Sequence, residues 1–444
     1  MQHCDTLIAA RWCAPVEPAD AVLEDHAIAV VDGRVTEILP AAEARTRYQP
    51  SQSFERPHHI AIPGFVNAHT HAAMTLFRGF ADDLPLERWL ADGIWPAERR
   101  WVSAEFVRDG TALAIAEMLS GGTTCFSDQY FFPDIVAKTA IDMQMRANVG
   151  TPVVDFPTAW ANDADEYLGK ATDLVHDAFV DHPLITTCFA PHSTASLSDK
   201  SFTALRVLAD QLDLRVQIHL HETATEVQQA VQTTGRRPFA RLESLGLVNA
   251  SLLAVHAVHV TAEEIRAMSE AGVAVAHCPR SNLKLASGIA PLTALREASL
   301  TVGIGTDGAA SNNRLDMLDE LRTAALLAKA GSGDAAAMPA HAALAAATLD
   351  SARALGLGDN IGSLLPGKWA DVACFDLNAL NSQPLSDPVS QLVYTAQASQ
   401  ASDVWVAGRH LLEGGRLTHI PVADIVARCG EWRAKLSGHQ RQTP

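Results

Sequence analysis

The chain has 444 residues, 48% of them hydrophobic, and a formal net charge of −17. That length accommodates one large barrel plus a smaller domain with a sizeable buried core, and the acidic balance speaks against a nucleic-acid partner, whose phosphates select basic patches. Seven cysteines, none in a C-x-x-C pair, fit neither a disulfide framework nor a cysteine-zinc site and read as reduced thiols of a cytoplasmic protein.

Residues 1–60 read as short strands and turns: Asp5 to Ala10, His26 to Val31 and Arg34 to Leu39, with Asp32-Gly33 as the hairpin turn between the last two. Met1 to Asp20 contain no basic segment followed by a long apolar run, so no signal peptide is expected. No stretch approaches the roughly 18 apolar residues of a membrane span.

The middle of the chain alternates apolar runs with helical segments. The runs are Ala61 to Asn67, Thr123 to Ser127, Asn148 to Asp155, Leu184 to Pro191, Leu214 to Glu222, Leu252 to His259, Val273 to Cys278 and Leu300 to Asp307. Between them, segments such as Ala104 to Leu119, Asp199 to Leu212, Ala262 to Ala271 and Pro291 to Ala298 show helical spacing. Eight such alternations predict a (β/α)8 barrel. Strand-like runs return at Ala370 to Asp376, Val404 to Ala407 and His410 to Leu412, with a turn at Gly408-Arg409. The expected fold is therefore α/β, a barrel with a small β-sandwich domain built from both termini. Its expected division is 1–61 and 361–444 (the latter with a tail) for the β domain and 62–360 for the barrel.

A barrel enzyme carries its chemistry at the carboxyl ends of its strands. Those ends here carry histidines or a carboxylate: Asn67-Ala68-His69-Thr70-His71, Ala190-Pro191-His192, His219-Leu220-His221-Glu222, His256-Ala257-Val258-His259, His277-Cys278-Pro279 and Gly305-Thr306-Asp307-Gly308. His69 and His71 lie two apart on a strand, so both rings face one way and can reach one ion at about 2.0–2.1 Å. His219 and Asp307 complete a set of three imidazoles and one carboxylate, with a position left for water. No lysine ends the fourth run, where a bridge between two metals would stand, so one metal is expected. Glu222, three residues past His219, is placed to move the proton of a water whose pKa the metal lowers to about 7; the competing reading is a helix cap. His256 is placed to orient that water or steady negative charge on the intermediate. His221 should face away from the ion, His259 should play a local structural part, and His277 should make supporting hydrogen bonds.

The combination Pro63-Gly64-Phe65-Val66-Asn67-Ala68-His69-Thr70-His71, His219-x-x-Glu222, His256-Ala-Val-His259 and Gly305-Thr306-Asp307-Gly308-Ala309-Ala310-Ser311-Asn312-Asn313 resembles the amidohydrolase superfamily. More narrowly it is similar to the 5-methylthioadenosine/S-adenosylhomocysteine deaminases, in the group that also holds the triazine chlorohydrolases. The likeness spans nearly the whole chain, including Pro366-Gly367-Lys368-Trp369-Ala370-Asp371-Val372 at the return into the terminal β domain. It implies a metal, zinc in most of this group, on His69, His71, His219 and Asp307. It implies attack of metal-bound hydroxide on C6 of an adenine ring, with Glu222 protonating N1 and Asp307 passing a proton to the departing ammonia. It also implies substrate contacts from Glu98 (to ribose hydroxyls), His192, Arg146 and Trp89. The partner is then a small nucleoside; neither nucleic acid nor membrane is expected, and a homo-oligomer, dimer or tetramer, is left open.

One departure bears on the nucleoside's 5′ tail. Some relatives carry an arginine between strands three and four; this chain has none between Arg146 and Arg206, and holds Trp160, Asn162, Asp163 and Asp165 there. A carboxylate-bearing tail would favour a cation at that point, and a methylthio tail would not need one. The alternatives are the same centre acting on a guanine, pterin or triazine ring, and a non-catalytic barrel used as a scaffold.

Overall fold

The computed structural model describes residues 1–440. Two eight-stranded sheets organise the chain. The first is assembled from both termini. Its strands are Gln2–Cys13, Leu23–Val31, Arg34–Pro40, Tyr48–Pro63, Val372–Asp376, Ala401–Val406, Arg409–Glu413 and Arg416–Leu417. The hairpin at Asp32-Gly33 forms as expected, with φ of 51° and 72°, the paired left-handed residues that match the twist of the flanking strands. The later turn is centred on Ala407-Gly408 (φ 47° and 75°), one residue before the expected position.

Tyr48–Pro63 is a long strand that the apolar pattern did not single out. It lies at the centre of this sheet, parallel to Gln2–Cys13 on one side and antiparallel to Val372–Asp376 on the other. Much of its first half is exposed, so its side chains are polar. Pro57 falls in the register shift opposite Arg11, between the Ala10–Arg56 and Trp12–Ile60 pairs, where a missing N–H costs no ladder bond.

The second sheet is the barrel. Its eight parallel strands run in chain order: Phe65–Thr70, Thr123–Gln129, Arg146–Val153, Ile185–Pro191, Val216–Leu220, Leu252–His256, Ala274–His277 and Val302–Ile304. Each matches one of the eight expected runs within a few residues, except that the first run splits. Ala61–Pro63 end the terminal sheet, and the barrel strand begins at Phe65. The chain changes sheets at Gly64, whose N–H donates to Asp371 C=O at 2.9 Å. A Cβ at Gly64 would lie 2.1 Å from Thr124 Cγ2, so only glycine permits this crossing. Beyond the eighth strand, Asp307 N–H donates to His69 C=O at 3.0 Å, bringing the first and last strand ends together.

The described part of the segment, 361–440, divides in space. Its strands join the terminal sheet, whereas the helix Val422–Gln440 lies on the barrel helix Ala104–Ser120. Trp432 meets Phe106 edge-on at 5.2 Å between centroids, and its indole N–H donates to the buried Asp109 at 3.0 Å. No described helix is long and apolar enough to cross a membrane.

Candidate active site

The ends of several barrel strands are turned by residues in the left-handed region: His221 (φ 54°) after the fifth, His256 and Ala257 (73° and 48°) at the sixth, and Asp307 (58°) after the eighth. Such backbone is sparsely populated by non-glycine residues and persists where surrounding contacts enforce it. These bends carry the chain off each strand while keeping its terminal side chain over the barrel mouth.

One ligand-capable atom each from His69, His71, His219 and Asp307 lies within 4.8 Å of the other three. His69 Nε2 is 3.1 Å from His219 Nε2, and Asp307 Oδ1 is 3.1 Å from His71 Nε2 and 3.5 Å from His69 Nε2. His71 Nδ1 stands 2.6 Å from Gln129 C=O, and His219 Nδ1 stands 2.6 Å from His192 C=O. A carbonyl only accepts, so both Nδ1 atoms carry the ring proton and both Nε2 atoms present lone pairs inward. Converging lone pairs and a carboxylate, buried together, are a donor set that a cation satisfies, and N/O ligation suits zinc.

The other Asp307 oxygen is held from behind. Oδ2 accepts the Ser281 and Ser311 hydroxyls at 2.6 and 2.7 Å. Neither serine was given a role by sequence, although Ser311 lies in the quoted motif; each lies on a short helix after the seventh or eighth strand. Glu222 Oε2 lies 3.8 Å from His256 Nε2, and Glu222 Oε1 accepts the Ser287 hydroxyl at 3.3 Å. Burial, with the Asp307 charge adding to it, pushes the Glu222 carboxyl up, and His256 opposes this. The helix-cap reading of Glu222 does not describe it: Thr223 caps the helix Ala224–Thr234. His256 Nδ1 is paired with Asn282 Oδ1 at 2.9 Å, which fixes the ring and its tautomer.

His221 points away from the cluster, accepting Phe239 N–H at 3.1 Å and facing Glu264. His259 Nε2 donates to Ser287 C=O at 2.7 Å, so it props the residue whose hydroxyl meets Glu222. His277 is buried and its Nδ1 has no partner among the described residues, so that nitrogen makes none of the supporting bonds expected of it. His192 packs its ring 4.9 Å from that of His219, and burial pushes its pKa down to about 4. Glu98, half-buried, accepts the Tyr130 hydroxyl at 2.7 Å. Burial raises its pKa to about 7 against the pull of Tyr130 and His71. Trp89 is buried nine residues before Glu98, with an indole N–H that has no partner among the described residues.

Arg146 corrects the expectation of a substrate contact. It begins the third barrel strand, so it stands at the amino-terminal face, opposite the histidines. Its guanidinium is buried and forked onto Asp371 at 2.9 and 3.1 Å, with a further bond to Pro183 C=O. Arg146→Met should lower the unfolding free energy by about 3–5 kcal/mol, because Asp371 would be left buried without its counter-charge. KM should not move. A denaturation midpoint at the wild-type value would contradict this.

The amidohydrolase family profile matches residues 60–411. A 5-methylthioadenosine/S-adenosylhomocysteine deaminase of Teredinibacter turnerae is 46% identical over 432 residues, covering 97% of this chain and 98% of that one. A solved adenosine deaminase from Xanthomonas campestris, with bound zinc, is 52% identical with a TM-score of 0.97, covering 98% of this chain and 99% of that one. A triazine hydrolase from Arthrobacter aurescens superimposes with a TM-score of 0.89 at 25% identity, over 96% and 99% of the two chains.

Proposed function

Because this chain belongs to the amidohydrolase family, we propose that it is a zinc-dependent aminohydrolase. It deaminates the adenine ring of 5′-methylthioadenosine, S-adenosylhomocysteine and/or adenosine to the inosine-type product and ammonia. The carrying observation is the convergence of His69, His71, His219 and Asp307 beside a buried carboxyl, Glu222, whose pKa is raised. Zinc held there would supply a water acidic enough to act near neutral pH. Glu222 takes one proton from the water and gives it to ring N1, which makes C6 electrophilic. A raised pKa suits it to that exchange. His256, fixed by Asn282, orients the attacking oxygen. Asp307 takes the proton that remains on the oxygen once it has added to C6 and passes it to the exocyclic nitrogen as ammonia leaves. A nucleoside-sized molecule is the partner. The seven cysteines stand free, as suits a reducing cytoplasm.

The direct test follows the ultraviolet change from adenine to hypoxanthine in these three nucleosides with zinc-loaded protein. No change with any of them would overturn the assignment. Deamination of guanine or hydrolysis of a triazine in its place would favour the neighbouring chemistry of the family.

Glu98 supports the nucleoside reading: a carboxylate backed by Tyr130 can accept ribose hydroxyls, and a bare ring gives it no purpose. Loss of hydrogen bonds to a charged group costs about 1.5–3 kcal/mol, so Glu98→Ala should raise KM for adenosine by about 10- to 100-fold. Binding of free adenine should be unchanged. The accepting form is the anion, so wild-type KM should rise as pH falls through about 7, and Glu98→Gln should flatten that rise. Equal losses for adenosine and adenine would remove the ribose role.

A further inference from the structure

We infer that Glu320 is a positioning residue that sets the direction of the Asp307 carboxylate, acting through Arg280-Ser281 on one side and Ser311-Asn312 on the other. Glu320 is fully buried on the first turn of the helix Met317–Ser332. That helix does not need it as a cap, since Asp316 accepts the Leu318 and Asp319 N–H groups. Instead its two oxygens serve two short helices, Pro279–Lys284 and Ala309–Asn312. Oε2 accepts the backbone N–H of Arg280 at 3.2 Å, and Oε1 accepts Asn312 Nδ2 at 2.5 Å.

Each of those partners is the chain neighbour of a serine that holds Asp307. Ser281 follows Arg280, and Ser311 precedes Asn312; both hydroxyls donate to Asp307 Oδ2. Asn312 Nδ2 also donates to Thr306 C=O at 2.6 Å, and its Oδ1 accepts Arg280 Nε at 3.2 Å. Thr306 is further pinned by Asn67, which accepts its N–H at 3.0 Å and donates to its hydroxyl at 2.8 Å. Asp307 itself sits at φ 58°. The carboxylate direction is thus decided by two serines and one strained backbone position, and Glu320 is the group common to both short helices. With Oδ2 occupied from behind, Oδ1 is the oxygen left to face His69 and His71.

A buried carboxylate is costly unless all its bonds are made. An apolar residue would fill the space but leave the Arg280 N–H and the Asn312 amide without their acceptor. Burial pushes the Glu320 pKa up to about 8 against the pull of the Asn312 amide and the Arg280 N–H; in the ionised form both oxygens accept, and glutamine keeps that shape but turns its own NH2 group against one of those two donors.

The inference rests on Asp307 being a metal ligand. Wild-type protein that binds no zinc would remove that reading, whereas the variants below test Glu320 in a wild-type frame that does bind it. In Glu320→Gln, kcat per bound zinc and zinc affinity measured by chelator competition should each fall by about 10-fold or more, as loss of outer partners of a metal ligand does. KM should hold, because Glu320 touches no substrate group. Ser311→Ala should change both quantities in the same direction. Wild-type kcat per zinc together with wild-type zinc affinity, with only a lower Tm, would overturn the proposal and leave Glu320 a packing residue. If Glu320→Gln does not fold, Asn312→Ser cuts the same link from the other side. Failure of both to fold would likewise assign the network to stability alone.

Discussion

Glu222→Gln should retain one equivalent of zinc and lose about 10²- to 10⁴-fold in kcat, the usual worth of a positioned proton carrier. The substitution is nearly isosteric, and the amide oxygen can still accept the Ser287 hydroxyl that Glu222 Oε1 accepts. Glu222 lies outside the four converging ligand atoms, so metal content should not follow turnover. What the amide cannot do is pick up a proton from water and release it to a ring nitrogen. Metal analysis and steady-state kinetics on the same sample separate the two properties. Turnover near the wild-type rate in the zinc-loaded variant would remove Glu222 from the proton path and leave it a neighbour of His256.

The second large effect is expected at His219. This residue is the fifth strand's single contribution to the cluster, and its ring is fixed by the Nδ1 bond to His192 C=O. His219→Ala should drop zinc well below one equivalent. Activity should then fall further than the roughly 10- to 100-fold cost of removing an outer partner. Stripping the wild-type protein with a chelator should abolish activity and added zinc should restore it; the variant should not recover under the same treatment. The fold should survive, because removal of one imidazole leaves His69, His71 and Asp307 still packed at the joined first and eighth strand ends. Stoichiometric zinc in His219→Ala would show that the metal is held elsewhere.

These two expectations draw on different kinds of information. His69, His71, His219 and Asp307 were legible because they lie at the ends of three apolar runs, two of them on the first, and strand ends in a closed parallel barrel converge whatever the loops do. The barrel strands were legible for the same reason: a strand buried on both faces is written as a continuous apolar run. The strand Tyr48–Pro63 escaped because its exposed half carries polar residues and prolines, and its place in the sheet comes from backbone pairing that no side-chain pattern records. Arg146 was misplaced by likeness alone, although a residue that begins a barrel strand stands at the face away from the chemistry.

By itself, the order of residues determined which side chains arrive at the barrel mouth, since alternation along a strand and the position of its end are local properties. Only the tertiary structure decided what each one meets there. Ser281 and Ser311 reach the same carboxylate oxygen from separate short helices, Tyr130 backs Glu98, and Glu320 joins Arg280 to Asn312. The reason is physical: a hydrogen bond depends on distance and direction between groups far apart in the chain, and periodicity reports which face is buried but not the partner buried against it.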